Sequence, residues 1–178
     1  MTVGIIRHFK VKYKPKTKWM NSKQFNEWVE TYNNSKNIIP SKNNYIVNWD
    51  VCFSSDLIRS YLTAKLIHNG TILRTKDLRE IGAKIFKNIG IKLHYNIWLI
   101  IIRILWHFSQ NSHEETRHET ILRAKRFIDL IEKSNYSRIL LVSHGAFMKY
   151  LEKELKQRGY RGKMGLIPKN GKLYTYIK

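Results

Sequence analysis

The chain is short of acid. Only 13 Asp and Glu residues stand against 33 Lys and Arg among 178, which gives a formal net charge of +20. That balance points to nucleic acid, an anionic membrane or a phosphorylated substrate as a partner. It also fits solvated surface charge in a chain rich in Lys, Asn and Ile, where charge mainly serves solubility and steering. Cysteine is nearly missing. Cys52 stands alone, which excludes an intramolecular disulfide, and a lone thiol in an apolar run reads as a small core residue. No spacing of Cys and His resembles a structural zinc site, and no metal or cofactor is expected. Long apolar runs are missing too. The most apolar stretch, Ile97 to Phe108, falls short of the roughly 20 residues of a membrane span and contains Arg103. The N-terminus lacks the basic, apolar and small-residue sections of a signal peptide. A cytoplasmic, soluble protein without a membrane partner is the expectation. What is present is a foldable chain. At 43% hydrophobic and 12% aromatic it is not disordered by composition. Its length favours one domain over residues 1–178, with its own core.

The apolar run Thr2–Ile6 reads as a buried parallel strand and ends in Arg7-His8. Ligands of open α/β sheets bind beyond the carboxyl ends of strands, where these two residues would sit. Lys10 to Lys18 then reads as an extended loop with lysines at alternate positions. Asn21-Ser22 offers an N-cap for a helix carrying Phe25, Trp28 and Val29 on its core face. Asn33 to Asn44, with Pro40, reads as a loop.

Trp49–Phe53 predicts a second strand. Ser54-Ser55-Asp56 predicts the cap of a helix reaching His68, with Leu57, Tyr61, Ala64 and Leu66 facing inward. Thr71–Arg74 predicts a third strand, followed directly by Asp77-Leu78-Arg79-Glu80-Ile81. An inserted helical cap is expected at about 82–112, with its apolar helix at Ile97–Phe108 buried beneath it or in an oligomer contact. A long helix begins at His113–Thr116 and runs to about Ser134, with Ile121, Leu122, Phe127, Ile128 and Ile131 inside. Arg138–Val142 is a strand ending in Ser143-His144-Gly145. A helix to about Arg158 and a strand over Lys172–Ile177 complete the chain. Alternating strands and helices predict a three-layer α/β/α domain with a mostly parallel sheet.

Arg7, His8, Arg59, Glu80 and His144 all fall at strand ends or helix starts. Singly each is weak, since a lone histidine after a strand is more often structural. Together they have a chemistry. Neutral imidazole can take a phosphoryl group. Arginines offer bidentate donors to phosphate oxygens. A second imidazole can donate a hydrogen bond, and a carboxylic acid can protonate a leaving oxygen. Helix starts at Ser55 and Gly145 favour an anion.

With these residues the chain resembles the histidine phosphatase superfamily, the phosphoglycerate-mutase-like fold. The matching stretches are Ile6-Arg7-His8, Ser54–Arg59 with Thr63-Ala64, Leu78–Ile81, and Val142–Gly145. Glu114-Glu115-Thr116 with Arg123 resembles the stretch before the last motif. Phe9 replaces the usual glycine after the first histidine and would reshape the pocket floor. Lys10-Val11-Lys12 replaces the polar residues usual there, and Gly82-Ala83-Lys84-Ile85 replaces the usual continuation of the acid motif. The resemblance implies a phosphatase that works through a phosphohistidine on His8. Glu80 would be the general acid, and Arg7, Arg59 and His144 would hold the phosphoryl oxygens. The substrate would be a phosphorylated small molecule or phosphoprotein. A phosphomutase on the same fold is one alternative. A basic nucleic-acid-binding protein is another, but no recognisable nucleic-acid module is present, so no specific nucleic acid is expected. The lysines at positions 10, 12, 14, 16 and 18 follow His8 and read either as a solvated loop or as a positive collar for anionic substrates.

Overall fold

A computed structural model describes residues 1–41, 45, 48–82, 89–108 and 115–178, with the backbone alone at Phe108. Five strands form one sheet: β1 (Thr2–Arg7), β5 (Val51–Ser55), β6 (Ile72–Thr75), β8 (Arg138–Ser143) and β9 (Leu173–Ile177). Their order is β6-β5-β8-β1-β9. The first four run parallel, and β9 closes the edge antiparallel to β1.

Side chains alternate across the sheet, so each strand feeds two cores. Val3, Ile5, Val51, Phe53, Ile139 and Leu141 pack under α4 (Arg117–Glu132) and α5 (Gly145–Gln157). Ile6, Cys52, Leu140 and Val142 pack with Trp49 and with Ala64 and Ile67 of α2 (Ile58–Ile67) on the other face. This is the expected three-layer α/β/α arrangement, with both faces covered as a parallel sheet requires. Cys52 is a buried free thiol in it.

A satellite cluster stands beside the sheet. α1 (Ser22–Asn34) starts at Asn21, whose side chain accepts from the Gln24 amide while Gln24 reaches back to the Asn21 amide, a reciprocal cap. Phe25 of α1 is buried with Trp98 and Ile102 of α3 (Tyr95–Phe108), and Trp28 and Val29 pack around them. The Lys10–Lys18 stretch is not all loop. Its first residues form β2 (Lys10–Val11), paired with β4 (Ile38–Ile39) inside the expected 33–44 loop. It leads into β3 (Trp19–Met20), paired with β7 (Leu93–His94). α1 itself runs on to Asn34, into that same stretch. Of the expected insertion at about 82–112, residues 83–88 and 109–112 lie outside the described residues. So do His113 and Glu114.

Two helices differ from expectation in what they bury. α2 has no side-chain cap at its N-cap residue, Leu57; the Leu57 amide donates to Ser55 Oγ at 3.3 Å. Its buried residues are Arg59, Ser60, Thr63 and Ala64, while Leu66 is exposed and Leu57 and Tyr61 are half-buried. The first turn packs through Arg59 and Ser60 because it meets the buried His8 and His144, while Ala64 and Ile67 farther along meet the hydrocarbon of the sheet. α4 is capped by Thr116 and begins at Arg117. It buries Phe127, Ile128 and Ile131 as expected, but also Thr120, Arg123 and Ala124, leaving Ile121 half-buried and Leu122 exposed. Burying Arg123 rotates Leu122 outward.

Gly4 lies on the α2 face of β1. A Cβ there would sit 2.4 Å from the Trp49 ring. Gly4→Ala is therefore expected to cost about 1–3 kcal/mol through overpacking, read as a lower urea midpoint with an unchanged m-value.

Candidate active site

Parallel register brings three strand ends to one edge. Arg7 of β1 lies opposite Ser143 of β8, and Ser54 of β5 lies opposite Val142. His8 and His144 therefore emerge side by side, their ring centroids 5.0 Å apart. Backbone bonds hold His8 in place. Its amide donates to Ser143 O at 3.0 Å, and its carbonyl accepts from Asn170 Nδ2 at 2.7 Å. The next amide, Phe9, donates to Thr63 Oγ1 at 2.9 Å.

The hydrogen bonds of Arg59 set the protonation of both imidazoles. Its Nε lies 3.2 Å from His8 Nε2, and its Nη2 lies 3.2 Å from His144 Nδ1. A guanidinium only donates, so both of these ring nitrogens must present lone pairs. His8 then carries its proton on Nδ1 and donates it to Phe9 O at 2.7 Å. His144 carries its proton on Nε2, facing Ser55 Oγ at 2.9 Å and Ser60 Oγ at 3.2 Å. Both rings are buried and neutral. Burial, then the charges of Arg59 and Arg7, push His8 down to about 3, against a smaller raising effect of the Phe9 carbonyl. Burial also holds His144 well below the usual imidazole range, helped by His8, Arg59, Arg7 and Arg123.

Arg59 is itself pinned. Nη1 donates to Asn33 Oδ1 at 2.9 Å, and the guanidinium lies 5.1 Å from the Tyr32 ring centroid. Arg7 is only partly satisfied. Nη1 donates to Pro168 O at 2.9 Å, but its buried Nε has no hydrogen-bond partner among the described residues. The guanidinium lies against Gly145, where an added Cβ would come within 3.1 Å of Cζ. An unpaired buried N–H is costly, and an anion is its natural complement.

Glu80 occupies the N-terminus of α5. Its Oε1 accepts from the Ile81 and Phe147 amides, each at 3.1 Å, and its Oε2 from the Ala146 amide at 3.2 Å. The N-cap residue His144 supplies no side-chain cap, so Glu80 does so from outside the helix. The group at the Gly145 helix start, where an anion was expected, is the Glu80 carboxyl. Glu80 lies within electrostatic reach of Arg59. Its chain segment is clamped by Arg123, whose Nη1 donates to the carbonyls of Asp77 (2.6 Å) and Arg79 (3.0 Å). Arg123 also makes two 2.7 Å bonds to Glu115 and stacks on Phe147, 3.8 Å from the ring centroid.

The structure thus joins Arg59, His8 and His144 by direct hydrogen bonds and sets Arg7 and Glu80 at the adjoining strand and helix ends. Sequence reasoning missed Tyr32, Asn33, Ser60, Pro168 and Asn170 as partners. Ser60, one residue after Arg59, could have been found from its place on the same helix. Tyr32 and Asn33 carry no local signal, because tertiary packing alone brings α1 to Arg59. Phe9 is buried against Tyr45 and Gly171. Gly171 holds φ +67 there, and a Cβ would meet the Phe9 ring at 2.9 Å. Among the described residues no group of three or more His, Cys, Asp or Glu could hold a metal ion.

Comparison with known proteins bears on the family and the fold. The family model described as Histidine phosphatase superfamily (branch 1) matches residues 44–174. Among curated proteins none matches the chain. Solved structures share the fold at low identity. The alpha-ribazole phosphatase from Shigella flexneri is 19% identical, with TM-score 0.58 over 98% of this chain and 89% of that one. A phosphoserine phosphatase from Entamoeba histolytica, bound to 3-phosphoglyceric acid, is 17% identical, with TM-score 0.56 over 99% and 90%. A mycobacterial glucosyl-3-phosphoglycerate phosphatase is 16% identical, with TM-score 0.54 over 88% and 79%.

The buried neutral His8 makes stability depend on pH. Its pKa is lower folded than unfolded, so between about 3 and 6.5 the unfolded chain binds more protons, and stability is lost as pH falls through this range. By pH 5 the loss from His8 alone is about 2 kcal/mol relative to alkaline pH, and His144 adds in the same direction. His8→Asn should flatten the urea-midpoint profile between pH 7.5 and 5. A profile as steep as that of the wild type would show that other groups carry the dependence.

Proposed function

The chain belongs to the histidine phosphatase superfamily, branch 1, and from that premise we propose that it hydrolyses phosphate monoesters through a phosphohistidine on His8, with Glu80 as general acid. The observation that carries this reading is the buried His8 ring, protonated on Nδ1, with its Nε2 lone pair held only by Arg59. Such a ring is a nucleophile that needs no deprotonation.

An arriving phosphoryl group would take over the donors of Arg59 and meet the free Nε of Arg7. This releases the His8 lone pair toward phosphorus. The N–P bond forms as the ester P–O bond breaks, and a proton held by Glu80 goes to the leaving oxygen. In the second step water attacks phosphorus, its proton goes to the Glu80 carboxylate, and the N–P bond breaks to give inorganic phosphate and free His8. Once Arg59 turns to the substrate, His144 can move its proton to Nδ1 and donate to a phosphoryl oxygen. Ser55 and Ser60 permit this switch, because a hydroxyl can donate to Nε2 as readily as accept from it. Arg7, Arg59 and His144 then face the charge that builds on phosphorus.

The substrate class proposed is a small phosphorylated metabolite or a phosphoprotein. The structurally similar phosphatases of alpha-ribazole, phosphoserine and glucosyl-3-phosphoglycerate favour the former.

Rapid acid-free quenching with an aryl phosphate should trap an acid-labile phosphoenzyme. His8→Ala should lose both the adduct and turnover, and normal turnover in that variant would sink the mechanism.

Glu80→Gln should lose most activity on alkyl phosphates, on the order of 100-fold or more. It should lose much less on an aryl phosphate, whose leaving group needs little protonation. Arg59→Ala should depress both substrates alike. Equal losses for Glu80→Gln on the two substrates would remove it from the acid role.

A further inference from the structure

α3 has two apolar faces, and only one is covered. Trp98, Ile102 and Trp106 are buried. Ile97, Ile100, Ile104 and Leu105 are 42%, 59%, 52% and 46% exposed. At 100° per residue these four share one side of the helix. Aliphatic side chains scattered singly on a surface need no explanation, but a row of four along one helix does.

A cationic segment meets the start of this helix. Lys10, Lys12, Lys14, Lys16 and Lys18 are all exposed. The segment that carries them ends against the helix, because the Tyr95 amide donates to Lys18 O at 2.9 Å. The pairing of β3 with β7 then fixes Trp19 beside His94, directly before α3. Trp19 is 57% exposed and meets His94 edge-on. Just ahead of β7, Ile91 and Lys92 are exposed as well.

We propose that α3, together with the Lys10–Trp19 segment, docks this protein on an anionic lipid surface, with the helix lying in the plane of the interface. Each alternative occupant answers only part of the surface. A nucleic acid would take the lysines but offer little to four aliphatic side chains. A second copy would cover the stripe but would set one charge of +20 against another. One stripe of half-exposed side chains also falls short of the about 800 Å² per partner of a stable interface. An anionic bilayer accepts both parts. Aliphatic side chains enter the acyl boundary, lysines meet the headgroup charge, and an exposed indole sits at headgroup level. No described helix is long and apolar enough to cross a membrane. The expectation of no membrane partner rested on that length, which a helix lying flat does not need.

The test uses the full chain and sedimentation with large vesicles at near-physiological salt. Wild type should pellet with phosphatidylcholine vesicles containing phosphatidylserine and stay soluble with phosphatidylcholine alone. Ile100→Gln/Ile104→Gln should partition about tenfold less or weaker, with unchanged thermal unfolding because both side chains are exposed. Lys14→Glu/Lys16→Glu should lose binding too, whereas Lys125→Glu/Lys153→Glu, on α4 and α5, should retain most of it. The proposal is overturned if wild type ignores anionic vesicles, or if the isoleucine variant binds as well as wild type. It is also overturned if the isoleucine change converts a dimer to a monomer without altering vesicle binding.

Discussion

One guanidinium organises the site. Arg59 donates through Nε, Nη1 and Nη2 to His8, Asn33 and His144, three groups drawn from β1, α1 and the end of β8. Because arginine cannot accept, these bonds leave each imidazole only one neutral tautomer. Burial alone would discharge the rings without saying where the remaining proton sits. The cation decides that. It also engages the Nε2 lone pair of His8. An anion is the ligand chemistry suited to compete with the two rings for this guanidinium.

The sheet explains why these groups meet. Parallel pairing of β1, β8 and β5 in register puts their carboxyl ends at one edge, and the α2 and α5 N-termini follow from β5 and β8. The face alternation matters as well. Arg7 and Ser143 are a register pair, so both leave the sheet on the α5 side; Ser143 donates to Leu78 O and steadies the turn before Glu80. Arg59 enters from α2 on the opposite face. The site is therefore assembled from both layers, and Arg123 ties the acid segment to α4 by replacing solvent at the Asp77 and Arg79 carbonyls. A buried arginine of this kind is retained only with its donors satisfied, and its two bonds to Glu115 supply the countercharge.

What the sequence showed follows from which interactions are local. β1, β5, β8 and the helices after them were legible because short apolar runs and helical spacing report burial directly. The five charged or imidazole residues were legible because each sits at a strand end or in the turn or helix start that follows one. On α2 only Ala64 was placed correctly, because apolar spacing assumes a hydrocarbon neighbour along the whole helix and its first turn packs on buried histidines instead. The Lys10–Lys18 segment was read as loop because two-residue ladders such as β2–β4 and β3–β7 carry no periodicity of their own. Tyr32 and Asn33 were out of reach for the same reason as their ladder neighbours. Their role exists only once α1 has packed against α3 and been carried to Arg59.

That packing gives the satellite cluster a consequence beyond covering surface. Phe25 anchors α1 to Trp98 and Ile102 of α3, and the far end of α1 delivers Asn33 to Arg59. The apolar helix and the Arg59 cation are thus joined by one 13-residue helix, and not by a loop. Any force on α3 that shifts α1 must move an acceptor hydrogen-bonded to Arg59, and interiors packed at crystal-like density transmit such shifts without absorbing them. The bond most exposed to that shift is the 2.9 Å contact to Asn33, because Asn33 lies in the last turn of α1, where nothing follows it in the helix but Asn34. Losing it would leave Arg59, among the described residues, with the two histidines and the Tyr32 ring.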